Sequence, residues 1–553
     1  MPMHRSPSIR ELPFSRIPHQ PAIFLKYLEG SAEVMRFYRH PPTLEALARE
    51  ANAIARTSFP RREMAEVASG QNQTFGSTAP VWQRIEDLAK PDSVAVVTGQ
   101  QAGLFTGPML TICKALTALR LSEELRRSGH NAVAIFWIAS DDHDLAEITR
   151  LVLPGAEDGP RVLDARETLF GQAELPGSPV GCLRLPESIR ALVEAYVGSF
   201  ARSAQSDTIR VQLAAAYQPG ATFTEAFGRL MARLFRDHGL ILFDPRHEGA
   251  KRLAAPLIRK ALLSAHELRA QLTDQILALH AMGLREQVAV PPHSTLVFYE
   301  EEGQRKLVLA RDQEFALKNS RSRFTSEQLS GLTASAPERF SPNALLRPVL
   351  QDHLFPTAAY VGGPAEISYF AQAGPIYRYF RRSMPVVWPR SSFTVLGPET
   401  CEILKRHSLA PEDCYGGERT LIRRMLRAHS DRSGILLEEL ETRIERTMPE
   451  LKAALAAAES SLGPATETIG RKLEFRLDSL RRGFEGFRVR NDKRLRKDLS
   501  DLQSNCFPND NLQERELGVH PMIARLGPSL LAAMYASIDL QAFKHRILCF
   551  EDD

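Results

Sequence analysis

A short apolar run, a glycine-containing turn and an amphipathic segment form the most informative part of the chain. Residues 94–98 (VAVVT) are mostly β-branched and predict a buried strand that enters the turn 99–108. Residues 109–127 place apolar side chains at helical spacings and stop just before a glycine, which predicts a helix. Residues 132–138 (AVAIFWI) predict a second strand, buried on both faces. Together these elements predict a βαβ unit, the start of a parallel sheet.

Each of the two predicted strands ends in a polar loop. The first loop reads GQQAG from Gly99, and the second reads ASDDHD at 139–144. Ligands of parallel sheets bind beyond the carboxyl ends of the strands, so we expect both loops to face one crevice. The spacing of Gly99, Gly103 and Gly107 matches neither the dinucleotide fingerprint nor a P-loop, which disfavours a dehydrogenase or a P-loop NTPase. In the alternative interpretation, these glycines only make a tight turn packed against the sheet.

A long helical repeat follows later in the chain. Apolar side chains recur at steps of three and four over 437–462 and again over 469–487, which predicts an antiparallel helical hairpin. Pro449 predicts a kink or a restart in the first arm. Residues 471–500 contain 11 Lys/Arg and five Asp/Glu. This basic arm is interpreted as a solvated face, and a tRNA-binding surface is the sharper alternative.

These patterns predict an α/β fold with a Rossmann-like parallel-sheet core, connecting insertions and a projecting antiparallel α-helical coiled coil. The predicted boundaries are 1–153 and 346–397 for the two parts of the core, 154–345 for the connecting insertions, 398–504 for the coiled-coil domain and 505–553 for a C-terminal segment that packs back on the core.

Composition narrows the functional class. A length of 553 residues predicts two to four structural units, and 43% hydrophobic with 25% charged residues is typical of a soluble globular protein. The absence of a long apolar run and of a secretory signal predicts a cytoplasmic protein without a membrane partner. A net charge of +4 disfavours a nucleic-acid partner. The six cysteines form no CxxC pair, so neither a disulfide scaffold nor a zinc site is indicated, and no metal is predicted.

The segments VVTGQQAGLFTGPMLTICKAL and FWIASDDHDLAEI closely resemble signature segments of the cysteine-adding enzymes of bacillithiol biosynthesis. The likeness continues in YVGGPAEISYF, VVWPRSSFTVL and NLQERELGV, and so covers essentially the whole chain. The resemblance implies a ligase that forms an amide bond between the carboxyl group of L-cysteine and the amino group of glucosaminyl malate, the last step of bacillithiol biosynthesis. It also implies a homodimer joined through the coiled coil and an adenine nucleotide (ATP or ADP) site where coiled coil and core meet.

The core resembles, more distantly, that of class I aminoacyl-tRNA synthetases and related nucleotidyltransferases. The His-Ile-Gly-His motif of those enzymes corresponds here to Phe105, Thr106, Gly107 and Pro108, so both histidines are absent. Because those histidines assist phosphate chemistry, the resemblance supports the fold and weakens the case for ordinary adenylate formation. A non-catalytic protein that binds tRNA or nucleotide on a synthetase-like fold is therefore the alternative function.

The acidic loop with one histidine carries the predicted catalytic residues. An amide-forming enzyme must activate the carboxylate, as an acyl-adenylate or acyl-phosphate, and needs a base that keeps the amine neutral. His143 titrates near neutrality and is the candidate base, with Asp142 and Asp141 as its catalytic neighbours and Asp144 as a substrate contact. Two alternatives are a divalent-ion site and a capping cluster for the following helix.

Further substrate contacts are predicted from the turns that end other strands. Glu366 could receive an ammonium group or serve only as a helix N-terminal acid, and Arg390 could bind an anion or form a surface salt bridge. The predicted substrate-binding set is Thr98, Gly99, Gln100, Gln101, Thr106, Gly107, Asp144, Tyr360, Gly362, Gly363, Glu366, Tyr369 and Arg390. The predicted nucleotide-binding set is Ser391, Gln513 and Arg515.

Overall fold

The computed structural model describes residues 7–153, 160–171, 177–200, 203–311, 314–428 and 432–551. Within these ranges the strands form four sheets. The strands are β1 (Ser8–Leu12), β2 (Val94–Gln100), β3 (Ala132–Ile138), β4 (Arg150–Leu153), β5 (Arg161–Asp164), β6 (Leu240–Phe243), β7 (Ser294–Glu301), β8 (Gln304–Arg311), β9 (Glu314–Leu317), β10 (Arg323–Thr325), β11 (Phe340–Pro342), β12 (Thr357–Gly362), β13 (Val386–Pro389), β14 (Ser392–Leu396) and β15 (His545–Cys549).

Helices cover both faces of the sheets and build the C-terminal arms. The α-helices are α1 (Ala22–Leu28), α2 (Ala32–Met35), α3 (Leu44–Ala55), α4 (Arg61–Phe75), α5 (Ala79–Leu88), α6 (Leu110–Arg127), α7 (Leu145–Thr149), α8 (Arg166–Phe170), α9 (Ile189–Gly198), α10 (Ala204–Ala216), α11 (Phe223–Leu234), α12 (Glu248–Leu263), α13 (Ala265–His280), α14 (Ser326–Ser335), α15 (Arg347–Leu354), α16 (Pro364–Tyr379), α17 (Pro398–Arg406), α18 (Glu418–Ala428), α19 (Arg432–Ala458), α20 (Leu462–Asn491), α21 (Lys493–Cys506), α22 (Gln513–Glu516), α23 (Val519–Leu526) and α24 (Leu530–Ala536).

The central sheet is parallel, with the strand order β13-β12-β2-β3-β6. From β2 the chain adds β3 and then β6 on one side, and later adds β12 and β13 on the other. The strand order therefore reverses between β2 and β12, and in Rossmann-like sheets such a switch point opens a crevice at the carboxyl ends of the strands. The predicted βαβ unit is confirmed as β2, α6 and β3, and the Rossmann-like fold class with it.

Two further sheets flank this core. The antiparallel sheet β10-β9-β8-β7-β11 comes from the middle of the chain, and its strands β7 and β8 carry side chains that face the loop after β3. In the third sheet β15 lies between β1, its antiparallel partner, and β14, its parallel partner. The C-terminal segment is thereby paired with strands from both the beginning and the middle of the chain.

The predicted division of the core needs one correction. β6 lies in the range 154–345 that was predicted as connecting insertions, yet it pairs with β3 as the edge of the central sheet. Its four residues (LILF) are all buried. A strand of four apolar residues gives no local sign of which sheet it joins, because that choice depends on the strand beside which it packs.

The coiled coil consists of α19 and α20, which pack against each other as an antiparallel pair. Of the two alternatives predicted at Pro449, the restart does not occur, because α19 continues through that residue, and the kink stays a prediction. Pro449 is exposed, so water can satisfy the carbonyl that loses its helical partner. The connection between the two arms also comes earlier than predicted, since Gly463 and Pro464 lie in the first turn of α20. Backbone nitrogens of a helix first turn have no partner within the helix, so a proline there costs no hydrogen bond.

The apolar core continues from the central sheet into the helices on both faces. The side chains of β2 and β3 are almost completely buried, as expected for strands covered on both sides. Each of the six cysteines is a free thiol. None of the described helices is both long enough and apolar enough to cross a membrane.

Candidate active site

A crevice of about 400 Å³ opens at the switch point between β2 and β12. It is walled by the loops after β2, β3 and β12 and by the first turns of α6 and α16. Ten residues that the sequence singled out lie on its wall: Gly99, Gln100, Gln101, Asp142, Tyr360, Gly363, Glu366, Tyr369, Arg390 and Arg515. The expectation that the loops after the first two strands share one pocket is confirmed.

The turn after β2 is shaped by close backbone contacts. A Cβ atom on Gly99 would lie 2.6 Å from the carbonyl oxygen of Trp137 in β3, so a larger residue cannot fit there. Gly107 has a φ of +66°, a left-handed conformation that favours glycine. These contacts support the tight-turn interpretation of the glycines, and their role in binding stays a prediction.

Side-chain amides of the first loop reach the acidic loop and the helix α7 that follows it. Gln101 Nε2 donates to Asp142 Oδ2 at 2.7 Å, and Gln100 Nε2 donates to Glu147 Oε1 at 2.8 Å. Both glutamines therefore have protein partners as well as access to the crevice. The Oε1 atom of Gln101 is buried and accepts no hydrogen bond from the residues that the structure describes.

A buried ion pair connects α6 to the N-terminus of α16. Lys114 Nζ lies 2.6 Å from Glu366 Oε2 and also donates to Gly99 O and Gln100 Oε1, both at 2.8 Å. Glu366 accepts further hydrogen bonds from Gly363 N and from Tyr360 OH. Burial opposes ionisation of Glu366, but Lys114 and these donors together hold its pKa below the ordinary value. Glu366 therefore occupies the predicted helix N-terminal position, and the ammonium group that it contacts in the structure is that of Lys114. Its contact with a substrate ammonium group stays a prediction.

A second cation lies behind this pair. Arg347 Nη2 donates to Tyr369 OH at 2.5 Å and to Tyr360 OH at 3.2 Å. The phenols are buried, which raises the pKa of Tyr369 to about 12. They are therefore neutral hydrogen-bond partners. Arg347 lines the crevice, and no carboxylate of the described residues forms an ion pair with it.

Asp141 is held in place by cations from outside the loop. Lys251 Nζ lies 2.8 Å and 2.9 Å from its two carboxylate oxygens, and Arg246 Nη1 lies 3.3 Å from Oδ1. Burial opposes the negative charge, but these cations hold the pKa of Asp141 below its usual value. Both carboxylate oxygens are occupied, so Asp141 anchors the loop to α12 and is not free to accept a proton from a ligand.

His143 lies between the acidic loop and the antiparallel sheet. Its Nδ1 is 3.2 Å from Arg305 Nη1, and since a guanidinium only donates, Nδ1 must be the acceptor. Burial and the charge of Arg305 lower the pKa of His143 below its ordinary value. The neutral ring then carries its proton on Nε2, which is the tautomer of a hydrogen-bond donor and not of a base facing the crevice.

The end of the acidic loop caps a helix. Asp144 is the N-cap of α7, and its side chain accepts a hydrogen bond from Glu147 N at 3.1 Å. The capping alternative is therefore correct for this residue. The cap orients Glu147 so that its carboxylate lines the crevice. The metal alternative has no support within the described residues, which contain no group of three or more candidate ligands.

Two arginines approach the crevice from the side of β13 and the C-terminal segment. Arg390 is buried, and its Nη1 lies 2.7 Å from Glu514 Oε1, so it forms an interior ion pair where a surface salt bridge or an anion contact was expected. Arg515 lines the crevice, and none of the described side chains lies within hydrogen-bond distance of its guanidinium. Of the two, Arg515 is the cation available to an anionic ligand.

Several predicted contacts are directed into the protein interior. Thr98 is fully buried and donates to Val361 O at 2.8 Å. Thr106 is also fully buried, behind Phe105, whose ring stacks on Tyr196 at 4.6 Å. Gln513 is fully buried and pairs with the backbone of β14 through Val395. These side chains complete the hydrogen bonding or packing of the core and do not reach the crevice.

The remaining predicted positions do not line the crevice. Gly362 packs against Glu366, Gly107 contacts the turn that contains Gly103, and Ser391 N donates to the hydroxyl of Thr117 at 3.0 Å. The segment that corresponds to the synthetase histidine motif is therefore part of the core. It offers no side chain to a phosphate group.

Comparison with known families assigns the chain as a whole. Residues 9–391 match the family model described as the N-terminal Rossmann-like domain of bacillithiol biosynthesis BshC, and residues 393–550 match its C-terminal coiled-coil domain. The chain belongs to the BshC family. The boundary between the two BshC models falls directly before β14, where the chain leaves the central sheet.

Curated BshC relatives match over nearly their full length. The protein of Solibacter usitatus is 35% identical over 97% of this chain and 98% of its own length. That of Koribacter versatilis is 33% identical over 94% and 96%, and that of Salinibacter ruber is 32% identical over 96% of each chain. Each carries the name "Putative cysteine ligase BshC".

The BshC crevice continues into a larger cavity of about 690 Å³ below the antiparallel sheet. The two cavities share Trp137, Ala139, Asp142 and Arg347. Asp141 and His143 line the larger one, together with Arg305, Lys306 and Lys318. The two cavities therefore adjoin each other on either side of the acidic loop.

Sequence reasoning missed Lys114, Glu147 and Arg347 on the BshC crevice wall. Lys114 carried a detectable signal, because a lysine on the apolar face of an amphipathic helix requires a buried partner. Glu147 stands three residues after the capping Asp144, the usual position of an acid in a helix first turn. For Arg347 we find no local signal in the sequence.

Proposed function

We propose that this protein is a cytoplasmic cysteine ligase of bacillithiol biosynthesis, which forms an amide bond between the carboxyl group of L-cysteine and the amino group of glucosaminyl malate as the last step. Membership of the BshC family and the names of its curated relatives support the cysteine ligase role. The finer assignment of substrate and step rests on the chemistry of the crevice.

The observation that carries the proposal is the presence of both charges on one small crevice wall. The carboxylates of Asp142, Glu147 and Glu366 lie with the cations Lys114, Arg347 and Arg515 around about 400 Å³. An amino acid presents an ammonium and a carboxylate a few ångströms apart and so matches such a wall. The crevice has the size of a site for one amino acid, so the larger acceptor would bind in the adjoining cavity.

The larger cavity suits an acceptor with two carboxylates. Arg305 donates to the neutral groups Ser341 Oγ and Pro342 O, and Lys318 has no carboxylate partner among the described residues. Phe298 lies under the Arg305 guanidinium, 3.9 Å from ring centroid to Cζ. Lys318, and Arg305 with its one long contact of 4.0 Å to Asp142 Oδ1, supply positive charge that favours the malate portion there, with the sugar amine directed towards the crevice.

Activation of the cysteine carboxylate calls for a phosphate donor, and ATP is the proposed one. Of the three residues predicted to hold an adenine nucleotide, Arg515 is the one whose side chain lines the crevice. Its guanidinium fits a phosphate group, and a bound nucleotide would supply the leaving group for acyl transfer. Ser391 and Gln513 are engaged with the backbone or with Thr117 and would act through the position of the loops they hold.

The direct test is synthesis of the product from purified components. Protein, L-cysteine, glucosaminyl malate and ATP are incubated, with parallel reactions that omit ATP or cysteine, and the thiol product is quantified by mass spectrometry after alkylation. We expect bacillithiol only in the complete mixture. Absence of product under these conditions, together with normal bacillithiol in a deletion strain, contradicts the proposal.

Arg515 offers a matched variant for the same assay. Arg515→Gln keeps a polar side chain of similar reach but removes the charge, so we expect a higher KM for the anionic substrates. Arg184→Gln, which lies outside both cavities, is the control. Equal kinetics of the two variants would contradict a role for Arg515 in anion binding.

A further inference from the structure

The three carboxylates of the crevice differ in what surrounds them. Glu366 is paired with Lys114 at 2.6 Å. Asp142 accepts hydrogen bonds from Gln101 and from His143 N, and lies 4.0 Å from Arg305. Among the described residues, Glu147 has no cation within ion-pair distance. It is therefore the carboxylate of this wall whose charge is least stabilised by the protein.

Glu147 also keeps one oxygen free. Gln100 donates to Oε1 at 2.8 Å, and no described donor reaches Oε2. The side chain lies at the solvent-open mouth of the crevice, within the lining that Lys114 and Arg515 share. A ligand amine in the crevice can therefore meet a carboxylate oxygen that is already oriented by an amide donor.

The other candidate bases are occupied. His143 accepts a hydrogen bond from Arg305 at the nitrogen that would take the proton, and Asp141 is held by Lys251 and Arg246. For either group to act as a base, its contact with a cation must first be broken, with Arg305 for His143 and with Lys251 for Asp141. This leaves a buried charge without its partner, which is costly. Glu147 needs no such rearrangement.

We propose that Glu147 is a catalytic residue, the base that removes a proton from the attacking amine during amide formation. This role rests on the proposed ligase function. The nitrogen lone pair forms the new C–N bond to the acyl carbon of cysteine. The bond from that carbon to the phosphate oxygen, activated by the nucleoside triphosphate, breaks with its electron pair. The ammonium gives up two protons in all: the first passes to Glu147 Oε2 before the attack and frees the nitrogen lone pair, and the second leaves with the released phosphate.

The electrostatics of the wall suit this role. Desolvation at the wall, with the charges of Asp142 and Asp144, raises the pKa of Glu147 to about 7, against the opposing effect of Lys114. Glu147 lines the crevice together with Arg515, and it lines a neighbouring surface opening together with Arg166 of α8. A base is most effective when its pKa lies near the working pH.

The test compares two acceptors with the full-length protein. Glucosaminyl malate presents an ammonium that must lose a proton before its nitrogen can attack, whereas hydroxylamine is neutral near pH 7 and already has a free lone pair, so it does not need the proton transfer assigned to Glu147. Glu147→Gln keeps the size of the side chain and its contact with Gln100. We expect about 10²- to 10⁴-fold slower amide formation with the amino sugar, but cysteine hydroxamate formation close to the wild-type rate.

Two further variants complete the design. Glu147→Asp retains a carboxylate on a shorter arm and should recover part of the amide-forming rate. Glu187→Gln, an exposed glutamate paired with Arg190, should behave as wild type with both acceptors.

Each outcome decides the matter. Loss of activity with the amino sugar alone supports the base, whereas wild-type amide formation by Glu147→Gln overturns it. Equal loss with both acceptors also overturns it, because the residue would then act in binding or activation. If the wild-type protein forms neither product, the ligase function itself is rejected and this role with it.

Discussion

Buried charge is the main chemical feature of the residues around the crevice. Lys114 and Glu366 compensate each other, as do Arg390 and Glu514, and each of these side chains has lost most of its water. Such pairs are costly to break, because the remaining partner becomes an uncompensated buried charge. Among the described residues, Glu147 and Arg515 on the same wall have no such ion-pair partner, so their charges remain available to a ligand.

Breaking the Lys114–Glu366 pair should destabilise the fold. We expect Lys114→Met to lower the free energy of unfolding by about 3–5 kcal/mol, because Glu366 is left buried without its cation. The double variant Lys114→Met/Glu366→Gln should recover part of the loss, since neither charge then remains. Urea unfolding of both variants measures this, and a double variant less stable than the single one would contradict the compensation.

A buried histidine makes stability depend on pH. His520 is fully buried, both ring nitrogens lack a partner among the described residues, and burial lowers its pKa from 6.5 to about 4. Between those values the unfolded chain binds a proton that the native protein does not, so the free energy of unfolding falls as the pH is lowered from 6.5 towards 4.

His520→Leu should remove this dependence. On going from pH 7 to pH 5 we expect the wild type to lose about 2 kcal/mol more stability than the variant, at roughly 1.4 kcal/mol per pKa unit. His545, whose pKa burial also lowers to about 4, is present in both proteins and cancels in the comparison. Identical pH slopes in guanidinium unfolding would show that His520 is not the group responsible.

At the scale of elements, the coiled coil differs from the core in exposing apolar side chains. Leu440, Leu473, Leu480 and Phe487 are each at least 39% exposed, whereas the strands of the central sheet are sealed. A row of exposed apolar residues along two arms is typical of a protein–protein interface. It supports the proposal, implied by the family resemblance, that two copies of this chain associate through these arms.

A charge on the arms should therefore prevent dimer formation. We expect Leu480→Glu, at a position that is 60% exposed, to give a monomer in sedimentation velocity where the wild type gives a dimer. Leu277→Glu on α13 is a matched control, since Leu277 is 59% exposed but lies away from the arms. A wild-type monomer, or a dimer in the Leu480 variant, would contradict this interface.

At the scale of the whole molecule, β15 joins distant parts of the chain. It pairs with β1 and β14, and its Leu548 lies directly opposite Ile9 of β1. Leu548 is completely buried, whereas Ile9 is 46% exposed. Two apolar residues that lie opposite each other in this strand pair therefore differ in burial: Leu548 packs in the core and Ile9 is largely in contact with water.

This pair gives a matched test of how strongly the C-terminal segment is held. Leu548→Ala should lower the free energy of unfolding by about 2–5 kcal/mol, through lost burial and a cavity. Ile9→Ala should change it by less than about 0.5 kcal/mol, as at most surface sites. Chemical denaturation measures both, and equal effects would show that β15 does not bury its core face in solution.

The elements that sequence could predict are those whose side-chain pattern is local. β2, α6 and β3 follow from periodicity and one glycine turn, and the two arms follow from their repeat. Two expectations were overridden by context. The restart at Pro449 does not occur because an exposed helix accommodates the proline, and β6 was assigned to an insertion because its own four residues do not specify its sheet.

The sequence alone determined that two polar loops end neighbouring parallel strands. Two apolar runs joined by a turn and a helix predict a βαβ unit, and this pattern lies within one short stretch of the chain. Only the tertiary structure decided which polar groups remain free there. Lys251, Arg305 and Glu514 come from remote segments and occupy Asp141, His143 and Arg390 respectively. A charge removed from water needs such a partner, because burying it alone is costly. Which carboxylate of the crevice lacks a cation among the described residues, here Glu147, therefore follows only from the positions of all these partners.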